Sequence, residues 1–500
     1  MAVTNPLLVV GAGPVGLTLA MELARYRMPV RIVDETPART DKSKALAVWP
    51  RTLELLDRSG AGEAFVAAGI RAHAMNVMSA REKLARIAFD HVDSAYAFAL
   101  MLPQSETERL LEARLAQAGL HVERSTGLTG FAQSGDYVSC TLRRADGSTE
   151  TLATPYLLAC DGARSTVRQS LGLAFEGETL GQRFVLADLH VAGLGLPGDE
   201  LATFLHRDGL LVFFPIAGNR YRVIGDLGRW NPADRTDPTL ADVQALVDAR
   251  GPGGVTLSDP LWLSSFGVNE RKVAHYRHGR IFLAGDAAHI HSPAGGQGMN
   301  TGMQDAFNLA WKLALAVAAA RAAERLLDSY SAERSPIAAQ VLADSGRLLR
   351  IATASNALVQ DVRNFMLHHV LGLAPVQHAM VDRLTEVAVE YPHSPLNAGS
   401  ANGLKGPGPG QRIVAGQPFG GGDGPRFALA ARPGDGVASL MRDHPSLLDP
   451  ELREPPDPAG AWLVRPDGYV AAVAPRNEMR RIADYLADLG SSAPTSPPPS

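Results

Sequence analysis

Residues 7–34 read LLVVGAGPVGLTLAMELARYRMPVRIVD, and this stretch decides the architecture. The apolar run Leu7 to Val10 ends in Gly11-Ala12-Gly13-Pro14-Val15-Gly16, a helix-compatible segment extends from Pro14 to Arg27, and a second apolar run covers Val30 to Val33. Strand, glycine turn, helix and strand make a βαβ unit, the opening of an α/β domain with a parallel sheet. In GxGxxG each glycine has its own task. Gly11 permits the tight turn, Gly13 lets the backbone approach a pyrophosphate, and Gly16 lets the helix pack closely. The helix N-terminus then offers N–H groups and a positive dipole end to the diphosphate. Asp34 closes the second strand, positioned to accept hydrogen bonds from an adenosine ribose, with Glu35 beside it. The segment reads as a dinucleotide site formed by Gly11, Gly13, Pro14, Val15, Gly16, Asp34 and Glu35.

Two later segments repeat the pattern of a strand that ends in glycine. Tyr156 to Cys160 leads into Asp161-Gly162-Ala163-Arg164-Ser165, which taken alone reads equally as a turn with a helix cap. Arg280 to Ala284 leads into Gly285-Asp286-Ala287-Ala288-His289 and on through Pro293-Ala294-Gly295-Gly296-Gln297-Gly298-Met299-Asn300 to a long helix. An acid at a strand end can bind a polar chain while a flat ring rests on bare glycine backbone. Both ends of one extended cofactor are thereby addressed.

Composition bounds the rest. With 500 residues and 46% apolar content the chain makes several domains. Its 48 basic and 52 acidic residues leave a net charge of -4, so neither nucleic acid nor a membrane surface is an expected partner. Cys140 and Cys160 form no CxxC, which argues against a disulfide framework and fits a reducing cytoplasm. His289 and His291 sit two apart with no third ligand at a recognised spacing, so no metal is expected.

Along the chain, residues 1–176 and 266–400 are assigned to the nucleotide domain with a helical extension. Short β-like runs such as Leu210 to Phe214 and Tyr221 to Ile224, with Gly218-Asn219 between them, mark 177–265 as an inserted antiparallel sheet for the substrate. Residues 401–425 form a Gly/Pro linker, 426–490 a small α/β module with a turn at Pro466-Asp467-Gly468, and 491–500 a Pro/Ser-rich tail expected to be disordered.

The three motifs in this order, together with Tyr330-Ser331-Ala332-Glu333-Arg334-Ser335-Pro336, resemble the class A flavoprotein monooxygenases, the group of para-hydroxybenzoate hydroxylase and phenol hydroxylase, over about residues 1–340. The resemblance implies FAD as cofactor, NAD(P)H and dioxygen as cosubstrates, and hydroxylation of a phenolic or polycyclic aromatic substrate through a flavin C4a-hydroperoxide. It implies that Asp34 binds the ribose, that Gly285 and Asp286 address the ribityl chain, and that Asp161 and Gly162 serve both FAD and NAD(P)H. Pro293, Gly296, Gly298, Met299 and Asn300 would meet the isoalloxazine. Lys44 stands where the family usually has arginine, keeping the charge without the planar fork, and reads either as a contact or as a surface lysine. Gln104 matches a glutamine on the flavin side, and Leu128 reads either as a main-chain contact to adenine or as a core leucine.

No catalytic base is assigned, although His206, Tyr221 and Arg222 are polar candidates and Val212, Phe213, Phe214 and Pro215 read as either pocket wall or core. The end module resembles the thioredoxin-like appendage of the phenol hydroxylase branch without its cysteines, leaving packing or a homodimer contact as its role. On that reading a chain cut after about Gly403 keeps its flavin. A halogenase on this scaffold would carry Trp-x-Trp-x-Ile-Pro, and none of Trp49, Trp230, Trp262, Trp311 or Trp462 has a tryptophan two positions away. A polyprenyl reductase and a non-catalytic binding protein on the nucleotide fold are the remaining alternatives.

Overall fold

Strand Leu7–Val10 lies between two parallel neighbours, Val30–Val33 on one side and Leu157–Ala159 on the other, and Ile281–Leu283 continues the parallel set. Arg277–His278 closes this five-stranded sheet at its edge as an antiparallel strand. The registers pair Val10 with Val33, Val10 with Ala159, and Ala159 with Leu283, so the carboxyl ends of all four parallel strands stop at one level. Gly11, Asp34, Cys160-Asp161 and Ala284-Gly285, far apart in sequence, follow directly from those ends. The crevice beyond the carboxyl edge of an open parallel sheet is where such folds bind ligands. The computed structural model from which this is read describes residues 5–490 apart from 42, 80–81, 230–236, 318–322, 355, 370–372 and 415–421. The expected tail at 491–500 and part of the expected linker lie outside the described residues.

Helix Pro14–Arg25 follows the glycine turn, ending two residues before the sequence reading, with Arg27 at φ 58°. It packs on helix Gly298–Val317 through a small-residue contact: a Cβ on Gly302 would lie 2.7 Å from Val15 Cγ2 and 3.1 Å from Gly285 Cα. The helix-rich region continues as Ala323–Ala352, Ala357–His369 and Ala374–Leu384.

A second sheet has eight strands, in the order His289–Ile290, Thr256–Lys272, Glu176–Ala192, Arg220–Arg229, Gly209–Pro215, Glu200–His206, Ala74–Ser79 and Glu82–Ala88. Gly209–Pro215 pairs antiparallel with Arg220–Arg229, and Gly218 and Asn219 both take positive φ, 67° and 60°, between them. The sheet also draws on two strands that precede residue 177, and Thr256–Lys272 runs on past 265 to pair with His289–Ile290 beside the glycine-rich loop.

The C-terminal residues form a four-stranded sheet, Ala398–Gly399, Val470–Pro475, Gly460–Val464 and Ala428–Ala430, with helices Asp435–Asp443 and Arg480–Leu489. Its apolar side chains Phe427, Leu429, Leu463, Ile482 and Leu486 belong to the same continuous core as Leu7, Leu283 and Trp311. Trp311 meets Phe427 edge-on at 5.8 Å between ring centres. Among the described residues no helix is long and apolar enough to cross a membrane.

Candidate active site

The three glycines of the first turn are used differently. Gly11 has φ +98°, and a Cβ there would fall 2.3 Å from the Cys160 carbonyl oxygen; one on Gly16 would fall 1.9 Å from the Gly11 carbonyl oxygen. Above Gly13 nothing lies within 4 Å, so the backbone there faces open space of the kind a diphosphate needs. Gly285, at φ +57°, rests on Val15, whose Cγ2 would be 2.7 Å from an added Cβ. Pro14 opens the helix and Val15 thus forms the seat of the second glycine turn.

The three acids differ as well. Asp34 already serves the protein: Oδ2 accepts the Ala12 N–H at 2.7 Å, while Oδ1 accepts the Thr36 N–H at 2.8 Å and the Thr36 hydroxyl. The neighbouring Glu35 is exposed and lies against Gly127. Asp161 accepts the Val167 N–H at 3.2 Å through Oδ2, whereas Oδ1 is buried without a hydrogen bond, and burial pushes its carboxyl upward. The cap reading of this segment also holds, since Ser165 accepts the Arg168 N–H at 3.0 Å and Gly162 takes φ 77°. Asp286 is crowded enough that its carboxyl is pushed upward, against the pull of His289 and Lys44, yet it stays open to solvent. An orphaned carboxylate oxygen, an open acid and a bare glycine at one level form a donor and acceptor set that fits a flavin dinucleotide.

The loop before helix Gly298–Val317 is tied to the segment 43–49. Asn300 Nδ2 donates to the Ala47 and Gly296 carbonyls at 2.9 and 3.1 Å, and its Oδ1 accepts the Trp49 N–H at 2.8 Å. Its side chain is fully engaged, so what it offers a ring is main chain. Gly298 and Met299 share this first helical turn, whose N–H groups lack intrahelical acceptors. Gly296 N–H donates to the Pro293 carbonyl at 3.0 Å, and the Trp49 indole donates to the Gly295 carbonyl at 3.0 Å. Gln104 braces the other end, accepting the Ala45 N–H at 3.2 Å and donating to Glu108 at 2.9 Å. Lys44 is exposed and lies within electrostatic reach of Asp286, while Leu128 is a buried member of the core whose strand pairs with Leu142.

The two histidines have protein partners. His289 Nε2 is 2.7 Å from Asp305 Oδ2, and Asp305 also takes Arg334 Nε at 2.7 Å and the Gly285 N–H at 3.1 Å. His291 packs under Gly298 and is held down to about 4 by burial and by His289. Among the described residues no three His, Cys, Asp or Glu side chains converge on a metal position.

A cavity of about 570 Å³ opens beside Pro293–Gln297, between the second sheet and helices Ala323–Ala352 and Ala374–Leu384. Its walls are apolar, with Trp49, Phe89, Phe184 and Phe214 among them. The strand period divides the aromatic run: Val212 and Phe214 face the cavity, while Phe213 packs edge-on against Phe204 at 5.7 Å in the core on the opposite face. None of the three polar candidates lines the cavity. Arg222 is buried against Asp188 with two contacts of 2.8 Å and donates to the Lys44 carbonyl at 3.0 Å, Tyr221 belongs to the opposite core, and His206 lies 3.4 Å from Asp208.

Sequence reasoning missed Trp49 and Glu386, because a tryptophan before a helix and a glutamate after one carry no local signature. Glu386 lines the cavity wall at φ 62° and accepts the Thr301 hydroxyl at 2.7 Å and Gln304 Nε2 at 2.5 Å. Burial pushes its carboxyl up to about 7, against these two bonds and Arg334. The unfolded chain releases this proton near 4.5 and the folded chain holds it to about 7, so the group's contribution is full below 4.5 and is lost as pH rises through that window. At about 1.4 kcal/mol per pH unit the loss is about 3 kcal/mol. Glu386→Gln should therefore melt higher than wild type at pH 8 and alongside it near pH 5. Melting curves with the same offset at both values would show that Glu386 does not titrate there.

Residues 4–345 match the family described as an FAD binding domain. The chain is 38% identical over 530 residues to the 6-methylpretetramide 4-monooxygenase of Streptomyces rimosus, covering 96% of this chain and 93% of that one. It is 34% identical over 339 residues to the pentachlorophenol 4-monooxygenase of Sphingobium chlorophenolicum, covering 67% and 62% respectively. The solved structure of an anhydrotetracycline hydroxylase from Streptomyces rimosus matches with a TM-score of 0.77 at 30% identity, over 97% of this chain and 98% of that one. With the glycine turns, strand-end acids and apolar cavity in one crevice, this chain belongs to the class A flavoprotein monooxygenases and is an FAD-dependent aromatic hydroxylase.

Proposed function

We propose that the enzyme hydroxylates an extended polycyclic phenol, drawing electrons from NAD(P)H and one oxygen atom from dioxygen. The observation that carries this reading is the cavity: about 570 Å³ of apolar wall bordering the glycine-rich loop is more than one phenol ring fills. The polycyclic substrate named for the relative that matches along nearly its whole length agrees with it.

When bound, FAD supplies hydride acceptance and the activation of oxygen. The residues do the rest. Gly11, Gly13 and Gly16 with the first turn of Pro14–Arg25 cradle the diphosphate, Asp34 with Glu35 serves the ribose, and Asp161 and Asp286 hold polar groups along the crevice. The N-terminal end of Gly298–Val317 presents N–H groups and a positive dipole, which favour negative charge on a ring resting there. His291 stays neutral below that ring's seat. Arg222 fixes the Lys44 carbonyl and so aims the one cation of the segment toward Asp286. Trp49, Phe89, Phe184 and Phe214 exclude water and leave a flat substrate to be held by shape.

The same reading divides the chain into an FAD domain, an inserted substrate sheet and a thioredoxin-like module at 426–490, the last supported by three strands and two helices within those bounds, a fourth strand coming from Ala398–Gly399. The unpaired, buried Cys140 and Cys160 support a cytoplasmic setting.

The test is a panel of phenols, hydroxybenzoates and polycyclic polyketide phenols. NAD(P)H oxidation should rise with the polycyclic members, and labelled dioxygen should place one labelled atom in the new ring hydroxyl. Label arriving from water would overturn the monooxygenase reading, and a response to single-ring phenols alone would overturn the substrate class.

A further inference from the structure

A densely bonded charged cluster lies away from the cavity, where the hairpin of the C-terminal sheet enters the core. Arg465 is fully buried and grips Glu333 with two contacts of 2.8 Å, while its Nε and Nη2 bind Asp467 at 2.9 and 2.6 Å. Glu333 also accepts Lys312 Nζ and Asn308 Nδ2, each at 2.7 Å. Asp467 Oδ2 accepts the Trp311 indole N–H at 3.1 Å and Asn308 Nδ2 at 3.3 Å. Two cations and two carboxylates thus balance in a dry site, and one of each comes from the hairpin.

The partners of this turn are not random positions. Asn308, Trp311 and Lys312 lie on Gly298–Val317, the helix whose first turn carries Gly298, Met299 and Asn300. The main-chain oxygens of Asp467 and Pro466 accept Arg51 Nη2 at 2.6 Å and Arg58 Nη1 at 3.2 Å, and both arginines belong to helix Pro50–Arg58. That helix begins directly after Trp49, which binds the Asn300 side chain and the Gly295 carbonyl. A second line runs through Tyr469, whose ring lies 4.4 Å from that of Tyr391; the Tyr391 hydroxyl accepts Arg334 Nη1 at 2.9 Å, and Arg334 holds the Asp305 that receives the Gly285 N–H. Gly468 takes φ 79°, which favours glycine, and a Cβ there would displace the Arg58 guanidinium, whose Nη2 would lie 1.7 Å away.

We infer that the turn Arg465–Gly468 sets the relative position of helices Pro50–Arg58 and Gly298–Val317, and that Asp467 is thereby a positioning residue for the isoalloxazine end of the flavin site. This rests on the reading of that crevice as the FAD site. The module is then the closing wall of the flavin domain, and a chain ending near Gly403 loses flavin affinity, the reverse of what its appearance as an appendage suggested.

The experiment uses the full-length chain. FAD and ADP affinities of the apoprotein are measured for wild type, Asp467→Asn and Trp311→Phe, together with the visible flavin spectrum. Wild type that takes up no FAD would sink the reading of the crevice itself. With wild type binding, Asp467→Asn should weaken FAD by about tenfold or more, the scale of a lost charged hydrogen bond, and shift the visible bands. ADP, which occupies only the glycine-turn half, should bind as before. Trp311→Phe removes the indole N–H donor to Asp467 together with part of a fully buried ring, should change FAD affinity in the same direction, and decides the matter if Asp467→Asn does not fold. Unchanged FAD affinity, or equal losses of FAD and ADP, would overturn the inference.

Discussion

Gly16→Ala should yield a colourless protein that does not take up added FAD. The new Cβ would stand 1.9 Å from the Gly11 carbonyl oxygen, 3.1 Å from its carbon and 3.2 Å from Cys160 Cβ. None of these is the loose end of a flexible side chain, so the helix must move off the turn, at about 1–3 kcal/mol or more for forced overpacking. The displacement also re-aims the helix N-terminus at which the diphosphate binds. Gly13→Ala makes the matching control, because its Cβ meets nothing within 4 Å of protein and the fold should survive while the ligand is obstructed. The absorbance ratio of flavin to protein, with melting curves, separates the two. Full flavin occupancy in Gly16→Ala would mean that the close packing of turn and helix is not required.

Glu333→Ala should be the most destabilising single substitution at a charged position. The carboxylate faces Arg465 and Lys312 in a site closed to water and is held well below the usual carboxylate range by those two cations, against the cost of its own burial. Removing it leaves Arg465 and Lys312 with Asp467 as the one remaining carboxylate of the site, and breaking a buried pair in this way typically costs about 3–5 kcal/mol. Lys312, already lowered to about 8 by burial, is the group that would then give up its proton. Denaturant titration should show the midpoint falling with the slope unchanged. A loss below about 1 kcal/mol, the range of an exposed pair, would show that water reaches the site.

What the sequence made legible is what backbone geometry dictates locally. Gly11, Gly16 and Gly285 stand where no side chain fits, and the acids that follow the strands are bound to the strand ends by connectivity. Strand order is a matter of distant pairing, so only the structure brings Asp161 and Gly285 to the same level as Gly11. The parallel pairing of Ala74–Ser79 with Glu200–His206 is likewise invisible to local pattern, although it completes one wall of the cavity. Arg465 and Asp467 look like an exposed turn in sequence, since charge normally marks a surface. Their burial follows from partners more than a hundred residues away, and no window of sequence holds both halves of that balance.

The alternation along Gly209–Pro215 has a consequence for how such an enzyme can change. Leu210, Val212 and Phe214 touch the cavity, whereas Leu211 and Phe213 are packed in the core behind the sheet. Substitutions at the half-buried Val212 and Phe214 alter which molecule is accepted at less cost to the scaffold than substitutions at the fully buried Leu211 and Phe213, which the cavity does not feel. Adjacent codons thus fall under separate selective pressures, and new substrate preferences can be explored along a strand whose other face keeps the fold fixed.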